Sequence, residues 1–357
     1  MPTSIIIGVG TLFSKWRVLT MRRTIYKFHK WLGLAFGLLL MAQAGSGVLL
    51  SFRPQIQSLE LAHHAGGDAK IGVNEAVTAV LGAYPQVWPE RAYVAPQGDA
   101  VVVRLAENHN RRFVVVSRKH DGVVLAGLPL HGTFQWLFEW HEGLWWGGAG
   151  RWVLVFQALL LVGFVGSGLY FWWPLRRKQG LKIKWQAPPV RLWYDLHRVI
   201  GVFAAPFLVV LVLTGSVMVV RALASGGDLK PPVKQAQVAR VDEALNCQAC
   251  GRLKEFRFSP DGGYHLIYAS KSAPWPLAAD SIAISPEGRP SPRLAQDAAS
   301  AQKVLGWMYP LHTGKALGWF GQMFVLVAGL ALFGLPVFGG LLWLRRRPKK
   351  KAVAHGA

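Results

Sequence analysis

The chain has 357 residues, a mean hydropathy of +0.27 and a formal net charge of +22, which is too apolar for an ordinary soluble enzyme and too polar to lie wholly within a bilayer. The charge distribution argues against nucleic-acid binding. Residues 53–140 carry eight basic and eight acidic side chains and residues 222–311 carry ten and eight, whereas residues 1–30, 174–198 and the run RRRPKKK hold 19 Lys and Arg against one acid, Asp195.

In chain order, residues 1–24 form a basic tail. Its first twenty residues, MPTSIIIGVGTLFSKWRVLT, lack a convincing signal-peptide cleavage site, and Met21 opens a cleaner start, MRRTIYKFHKW. Residues 25–52 are the first span, with an apolar run at 31–52 led by His29. Residues 53–133 follow as a balanced segment: NEAVTAVLGA (74–83) reads as a short amphipathic helix, AVVVRL and RFVVVSR alternate as strands, and DG at 121–122 is a turn. Residues 134–174 are the second span with an extension ahead of it, the apolar run being 152–173 and His141 preceding it in WLFEWHEG. A basic loop at 175–193 leads to the third span, 194–221, whose apolar run 199–220 is led by His197 in YDLHRVIG. Residues 222–305 repeat the helix-then-strands pattern in VDEALNCQACG, KEFRFSP, YHLIYAS, SIAIS and the turn PEG. Residues 306–345 are the fourth span, apolar over 323–344 and led by His312 in WMYPLHTG, and 346–357 are a basic tail. Each apolar run has the roughly 20 residues a helix needs to cross the hydrocarbon core, and none contains Asp, Glu, Lys or Arg. Lys and Arg collect in short cytoplasmic pieces. Both termini and the middle loop are therefore expected inside, against anionic lipid head groups, and the two balanced segments outside.

The two halves of the chain match. Tyr26, His29, Lys30 and Gly33 correspond to Tyr194, His197, Arg198 and Gly201 at one constant offset. Trp136, His141, Gly143, Gly150, Gly163, Gly168 and Trp172 correspond to Trp307, His312, Gly314, Gly321, Gly334, Gly339 and Trp343 at a second, slightly longer one that is equally constant. The expected fold class is membrane α-helical: four transmembrane helices from a parallel internal duplication, with two small α+β domains of about 85 residues each on the outside. Cys247 and Cys250, in CQAC, lack the further ligands of a zinc site, and a local disulfide is the plainer reading in an oxidising compartment.

Topology sorts the histidines. His29 and His197 precede outward-going spans and belong at the cytoplasmic edge, and His141 and His312 precede inward-going spans and belong at the outer edge. Ionisable groups in or beside a bilayer are costly and tend to be functional. One such histidine alone reads as an interfacial residue bonded to a neighbouring helix, but two matched pairs read as ligands. Imidazole is an axial ligand of haem iron, and a pair at each level can sandwich one planar macrocycle with no open iron position, which suits electron transfer. Zinc wants four ligands together, and these pairs lie on opposite sides. Gly33, Gly37, Gly45, Gly47, Gly163, Gly166 and Gly168 admit a flat ligand, and equally allow ordinary helix packing. His141 stands 11 residues before Trp152 and His312 stands 11 before Met323. Straight helices would carry these ligands roughly 16 Å beyond the apolar band. The glycine-rich GLWWGGAG and GKALGWFG predict a break or re-entry there.

At YKFHKWLG, LHTGKALG and the paired helix-sheet segments, the chain resembles the PepSY-associated transmembrane-helix proteins. Among these it is similar to the bacterial inner-membrane ferric-siderophore reductases, from Met21 to Lys351. The resemblance implies a multi-pass protein of the bacterial inner membrane with two haem b groups and PepSY-like periplasmic domains. In it the inner haem (His29, His197) accepts electrons, and the outer haem (His141, His312) passes them to iron(III) of a periplasmic ferric siderophore, which releases the metal as iron(II). Arg151, in GAGRW, matches a basic position that would hold a haem propionate, although its counterpart is Gln322. Asp195 has no acidic counterpart in KFHKW. Trp145, Trp146, Tyr309 and Trp319 are expected to touch the chelate or to form an interfacial aromatic belt. The cytoplasmic pieces are too short for a dinucleotide-binding unit, so a separate reductase or a quinol is expected as donor. Three alternatives stand beside this reading: a peptide- or protease-binding module with a membrane anchor, a di-haem carrier to another periplasmic acceptor, and a transporter with proton-relay histidines, which the charge-free spans disfavour. A homodimer is compatible with all of them.

Overall fold

A computed structural model describes residues 3–64, 68–107, 110–120, 122–225, 251–259 and 262–345. Its helices are α1 (Thr3–Ser51), α2 (Arg53–His64), α3 (Val73–Ala83), α4 (Pro129–Gly143), α5 (Gly147–Trp172), α6 (Pro189–Ala224), α7 (Ser300–Gly306), α8 (Met308–His312) and α9 (Gly318–Arg345). Its strands are β1 (Trp88–Val94), β2 (Ala100–Glu107), β3 (Asn110–Lys119), β4 (Gly122–Gly127), β5 (Leu253–Phe258), β6 (Tyr264–Ala269), β7 (Ala279–Ile284) and β8 (Pro290–Arg293). The chain divides into a bundle unit, residues 1–48, 152–216 and 323–357, and a sheet unit, residues 49–151 and 217–322.

The bundle unit draws on four helices long and apolar enough to cross a membrane, Leu19–Ser51, Gly147–Leu175, Pro189–Ala224 and Lys315–Arg345. Their apolar residues run all round each helix, and only 6% to 28% of each apolar window is buried within the protein. A surface of that kind is stable against hydrocarbon rather than water. With no hydrophobic gain from contact between helices in lipid, close packing relies on small residues. Ala204, Leu208 and Ala328 form the buried centre with Leu332 and Leu335 packed against them. A Cβ on Gly37 would press on Pro336, and one on Gly329 would collide with Val48.

The sheet unit holds one antiparallel eight-stranded sheet in the order β4-β3-β2-β1-β5-β6-β7-β8. This corrects the expectation of two separate small domains: the strands of both segments share a sheet, joined where β1 pairs with β5. At the join Arg91 stands opposite Arg257, a like-charge pair that would repel. Glu255 neutralises both, at 3.0 Å from Arg91 and 2.8 Å from Arg257. The amphipathic helix expected at 74–83 is α3, and its Val73, Ala76, Val77 and Val80 bury against Val101, Val103, Val114, Val116, Phe256 and Leu266. The opposite sheet face buries Val102, Phe113, Val115 and Leu128. Both strand ladders follow the period-2 alternation of the sequence. The edge strand β8 carries Pro290 and Pro292, as an edge can. Cys247, Cys250, Asp121 and the helix expected at VDEALNCQACG lie outside the described residues.

The break expected ahead of the second and fourth spans is present in both. α4 ends at Gly143, Leu144 and Trp145 adopt left-handed backbone angles (φ 52° and 60°), and α5 starts at Gly147. In the fourth span Gly314 and Gly318 (φ 73° and 58°) flank a single 3-10 turn, Lys315–Leu317, before α9. Each hairpin closes through a backbone contact between two glycines, Gly143 with Gly150 and Gly314 with Gly321. A Cβ on Gly150 would fall on the Gly143 carbonyl, and one on Gly321 on the Gly314 carbonyl. By contrast, Gly148 has nothing near its Cβ position. Gly150→Ala and Gly321→Ala are therefore expected to destabilise the protein by at least about 3 kcal/mol, and Gly148→Ala by less than about 1 kcal/mol. Thermal melting of the purified protein checks this, and equal melting temperatures for G150A and G148A would contradict the hairpin geometry.

Candidate functional site

His29 on α1 and His197 on α6 face each other within the bundle unit, with ring centroids 6.2 Å apart and ring planes at 81°. Each ring is anchored on its Nδ1 side. His29 Nδ1 lies 2.7 Å from Ser167 Oγ on α5. Ser167 gives its only hydroxyl proton to the Gly163 carbonyl at 2.7 Å, so the network assigns the other proton to His29: Nδ1–H donates to Ser167. His197 Nδ1–H donates to the Leu335 carbonyl of α9 at 3.0 Å. Both rings thus carry their proton on Nδ1 and a lone pair on Nε2. A bond of this kind on the far nitrogen is what orients a metal-binding imidazole and raises its basicity.

The two rings border a cavity of about 560 Å³, within the roughly 300–1,000 Å³ range of cofactor sites. Gly33, Gly168, Gly201, Gly339 and Gly340 line it, together with Phe164, Phe171 and Trp343. Cβ atoms at Gly168 and Gly340 would meet nothing within 4 Å, and the position at Gly339 faces the His197 ring at 3.7 Å. Small residues there leave room for a flat group. Arg22, Lys30 and Arg198 also line the cavity. Of these, Arg198 is committed to the fully buried Asp195 at 3.1 Å, and Arg191 completes that cluster at 3.2 Å.

The second pair stands in the sheet unit. His141, in the last turn of α4, and His312, at the end of α8, have ring centroids 6.4 Å apart and planes at 52°. The sequence therefore pairs all four histidines as the structure does. The separations carry chemical information. Metal–imidazole bonds of about 2.0–2.1 Å, with about 1.1 Å from nitrogen to ring centre, put the centroids of two trans ligands about 6.3 Å apart. Ring planes turn freely about that axis, so 81° and 52° both fit. Among the described residues no three His, Cys, Asp or Glu side chains gather as a metal cluster. The donor set in each place is two imidazoles, which suits a metal whose other ligands come from a macrocycle and does not suit zinc.

The other site residues are placed as follows. Trp145 packs on Trp136 and Trp140, with centroids at 4.3 and 4.9 Å, and donates Nε1–H to the Trp136 carbonyl. Trp146, Tyr309 and Trp319 are exposed. Arg151 is buried and its guanidinium meets Glu142 at 2.6 Å, so its charge is already balanced, although its Nε has no partner. Glu142 follows His141 directly in the sequence, and this pairing is the part of the Arg151 expectation that linear spacing did not reveal.

The family model for the PepSY-associated TM region matches residues 26–346. The chain belongs to that family and is a multi-pass membrane protein. No curated protein matches it.

Sequence reasoning missed the anchor of the helix that carries His141. Glu60 on α2 and His131 in the first turn of α4 are both buried. The Glu60 carboxylate accepts from Leu130 N–H at 2.7 Å, His131 N–H at 2.9 Å and His131 Nδ1–H at 2.6 Å. It satisfies orphan amides at the positive end of the α4 dipole. A lone acid and a lone histidine 71 residues apart leave no linear signal. Glu60→Ala is expected to cost about 3 kcal/mol, since it strands two buried donors of His131 and the part-buried amide of Leu130. Burial holds His131 below its ordinary value of 6.5, against the pull of Glu60, so the folded protein binds this proton less readily than the unfolded chain. An unfolded chain takes up that proton near 6.5, so stability is full above this pH and is lost as pH falls below it. A melting series from pH 7.5 to 5 should show this decline in the wild type and a shallower one in His131→Gln; parallel curves would remove His131 as its source.

Proposed function

We propose that this chain is a di-haem b oxidoreductase of the bacterial inner membrane that passes electrons from the cytoplasmic side, or from a quinol, to periplasmic ferric siderophores. The observation that carries the reading is the pair of facing imidazoles in each unit, at 6.2 and 6.4 Å, close to the separation of two trans ligands on one metal. His29 with His197 would hold one haem and His141 with His312 the other. When bound, haem supplies one-electron transfer at iron. The residues do the remaining work. Two imidazoles would hold each haem, and the Ser167 and Leu335 bonds hold the bundle rings by Nδ1, leaving Nε2 as the nitrogen free to ligate. The glycine lining gives a macrocycle access to the helix backbones.

Three further features support the arrangement. The constant offsets between matched residues of the two halves favour descent from a parallel duplication. Each bundle histidine also bonds a partner 138 residues downstream, Ser167 in one half and Leu335 in the other. The excess of Lys and Arg in both tails and the middle loop favours cytoplasmic termini and a periplasmic sheet unit. Reduction of chelated iron(III) to iron(II) weakens the hard oxygen chelate and frees the metal. The exposed Trp145, Trp146, Tyr309 and Trp319 offer that chelate an aromatic surface.

The test is ligand removal with haem counting. His29→Ala and His312→Ala should each lose about one of two haems, with the other retaining its spectrum. Loss of neither would contradict the ligand assignment, and loss of both would contradict two independent sites. Anaerobic mixing of the reduced protein with a ferric hydroxamate siderophore should reoxidise the haem; an unchanged reduced spectrum would point to a different periplasmic acceptor.

A further inference from the structure

Six described arginines of the sheet unit are matched with acids: Arg151 with Glu142, Arg104 and Arg111 with Glu90, Arg91 and Arg257 with Glu255, and Arg118 with Glu75. Arg221, Arg252, Arg289 and Arg293 have no such match among the described residues and are exposed. Arg53 is different. It opens α2, is half-buried, and among the described residues has no carboxylate within ion-pair reach. Glu60, two turns on in the same helix, gives its oxygens to the amides of α4 and to His131. Arg53 Nε–H donates to Gln57 Oε1 at 3.1 Å, which leaves the two Nη groups for another acceptor.

Its ring neighbours place it. The guanidinium lies over Phe138 at 5.7 Å from the ring centre, and the hydroxyls of Tyr93 and Tyr309 are within electrostatic reach. Phe138 is three residues before His141 on α4, and Tyr309 is three residues before His312 on α8, so each shares a helix face with its histidine. Phe138 and Tyr309 are also equivalent positions of the two halves, related by the same offset as the two histidines. Arg53 therefore sits against the α4 face that presents His141, and Tyr309, on the α8 face that presents His312, acts on it electrostatically. A cation partly withdrawn from water without a counter-ion is unfavourable, and the planar guanidinium fork matches a carboxylate with two parallel bonds. Arg221, at the equivalent position of the second half, follows the third span as Arg53 follows the first, but it is exposed and makes none of these contacts.

We propose that Arg53, rather than Arg151, is the carboxylate-binding residue of the site formed by His141 and His312. The proposal rests on the cofactor reading above. The carboxylate is either a propionate of the haem held there or a carboxylate of the ferric chelate that approaches it, and the experiment separates the two.

The full-length protein in lipid nanodiscs is compared with Arg53→Gln, Arg53→Lys and Arg151→Gln. Haem release is followed by transfer to apomyoglobin, and chelate binding by quenching of tryptophan fluorescence with ferric citrate. If the partner is a propionate, R53Q releases one of its haems at least about tenfold faster, while R151Q behaves as the wild type. If it is the chelate, haem release is unchanged and ferric citrate binds at least about tenfold more weakly, with a carboxylate-free ferric hydroxamate unaffected. R53K keeps the charge and loses the fork, so it should fall between, and it carries the test should R53Q fail to fold. Wild-type release and wild-type citrate affinity in the Arg53 variants would overturn the proposal and leave Arg53 as an interfacial anchor. A wild type without haem would contradict the cofactor reading alone, and the citrate titration would still decide the role of Arg53.

Discussion

The hydrogen bond on the far nitrogen of each bundle histidine is the interaction on which the arrangement depends. An imidazole beside a lipid-facing helix could turn either edge toward its neighbour. The Ser167 hydroxyl and the Leu335 carbonyl remove that freedom for His29 and His197. Each bond also ties two helices together, α1 to α5 and α6 to α9, and the facing rings link those two pairs of helices. The same contacts that hold the bundle therefore fix which nitrogen of each ring keeps its lone pair. This economy matters where helix association cannot draw on the hydrophobic effect and must come from packing and polar contacts. The glycines opposite the rings are the steric counterpart: a Cβ at Gly339 would already stand in van der Waals contact with the His197 ring.

The second pair is positioned by breaks in the helices rather than by a span. On a straight helix the imidazoles would stand far beyond the apolar stretch, and both segments break instead. The two breaks are solved differently. Glycines at 314 and 318 take positive φ at no steric cost, whereas Leu144 and Trp145 take it with side chains. Left-handed conformations of ordinary residues cost of order 1–3 kcal/mol each. Burial of Leu144 and the packing of Trp145 on Trp136 and Trp140 offset that cost. At the other end of α4, the Glu60 carboxylate fixes the helix start. His141 is thereby held from both ends of a 15-residue helix.

Much of this was legible in the sequence because it was local or periodic. Charge-free runs of helical length marked the spans, period-2 alternation marked β2, β3 and β6, and the constant offsets between the halves paired the histidines. Features made by distant partners were not legible. The single sheet depends on β1 finding β5 with the second and third spans lying between them in the chain, and β1 itself is obscured by Pro89 and its irregular register. A backbone carbonyl such as that of Leu335 has no sequence signature. Arg151 matched the pattern of an anion-binding residue, and only the structure shows that Glu142 already balances it. That Arg53 has no carboxylate within reach among the described residues depends on where each neighbouring acid is spent, which no linear pattern carries.

Facing imidazoles are an ordinary aromatic contact unless a metal lies between them, so the central claim turns on ligation. Low-temperature electron paramagnetic resonance on the oxidised, purified wild type, expressed with ample haem, tests it most directly. Ligation by both histidine pairs requires low-spin six-coordinate ferric haem with two imidazole ligands, at about two haems per chain. A preparation without haem, or one dominated by high-spin iron with an open axial position, would contradict it.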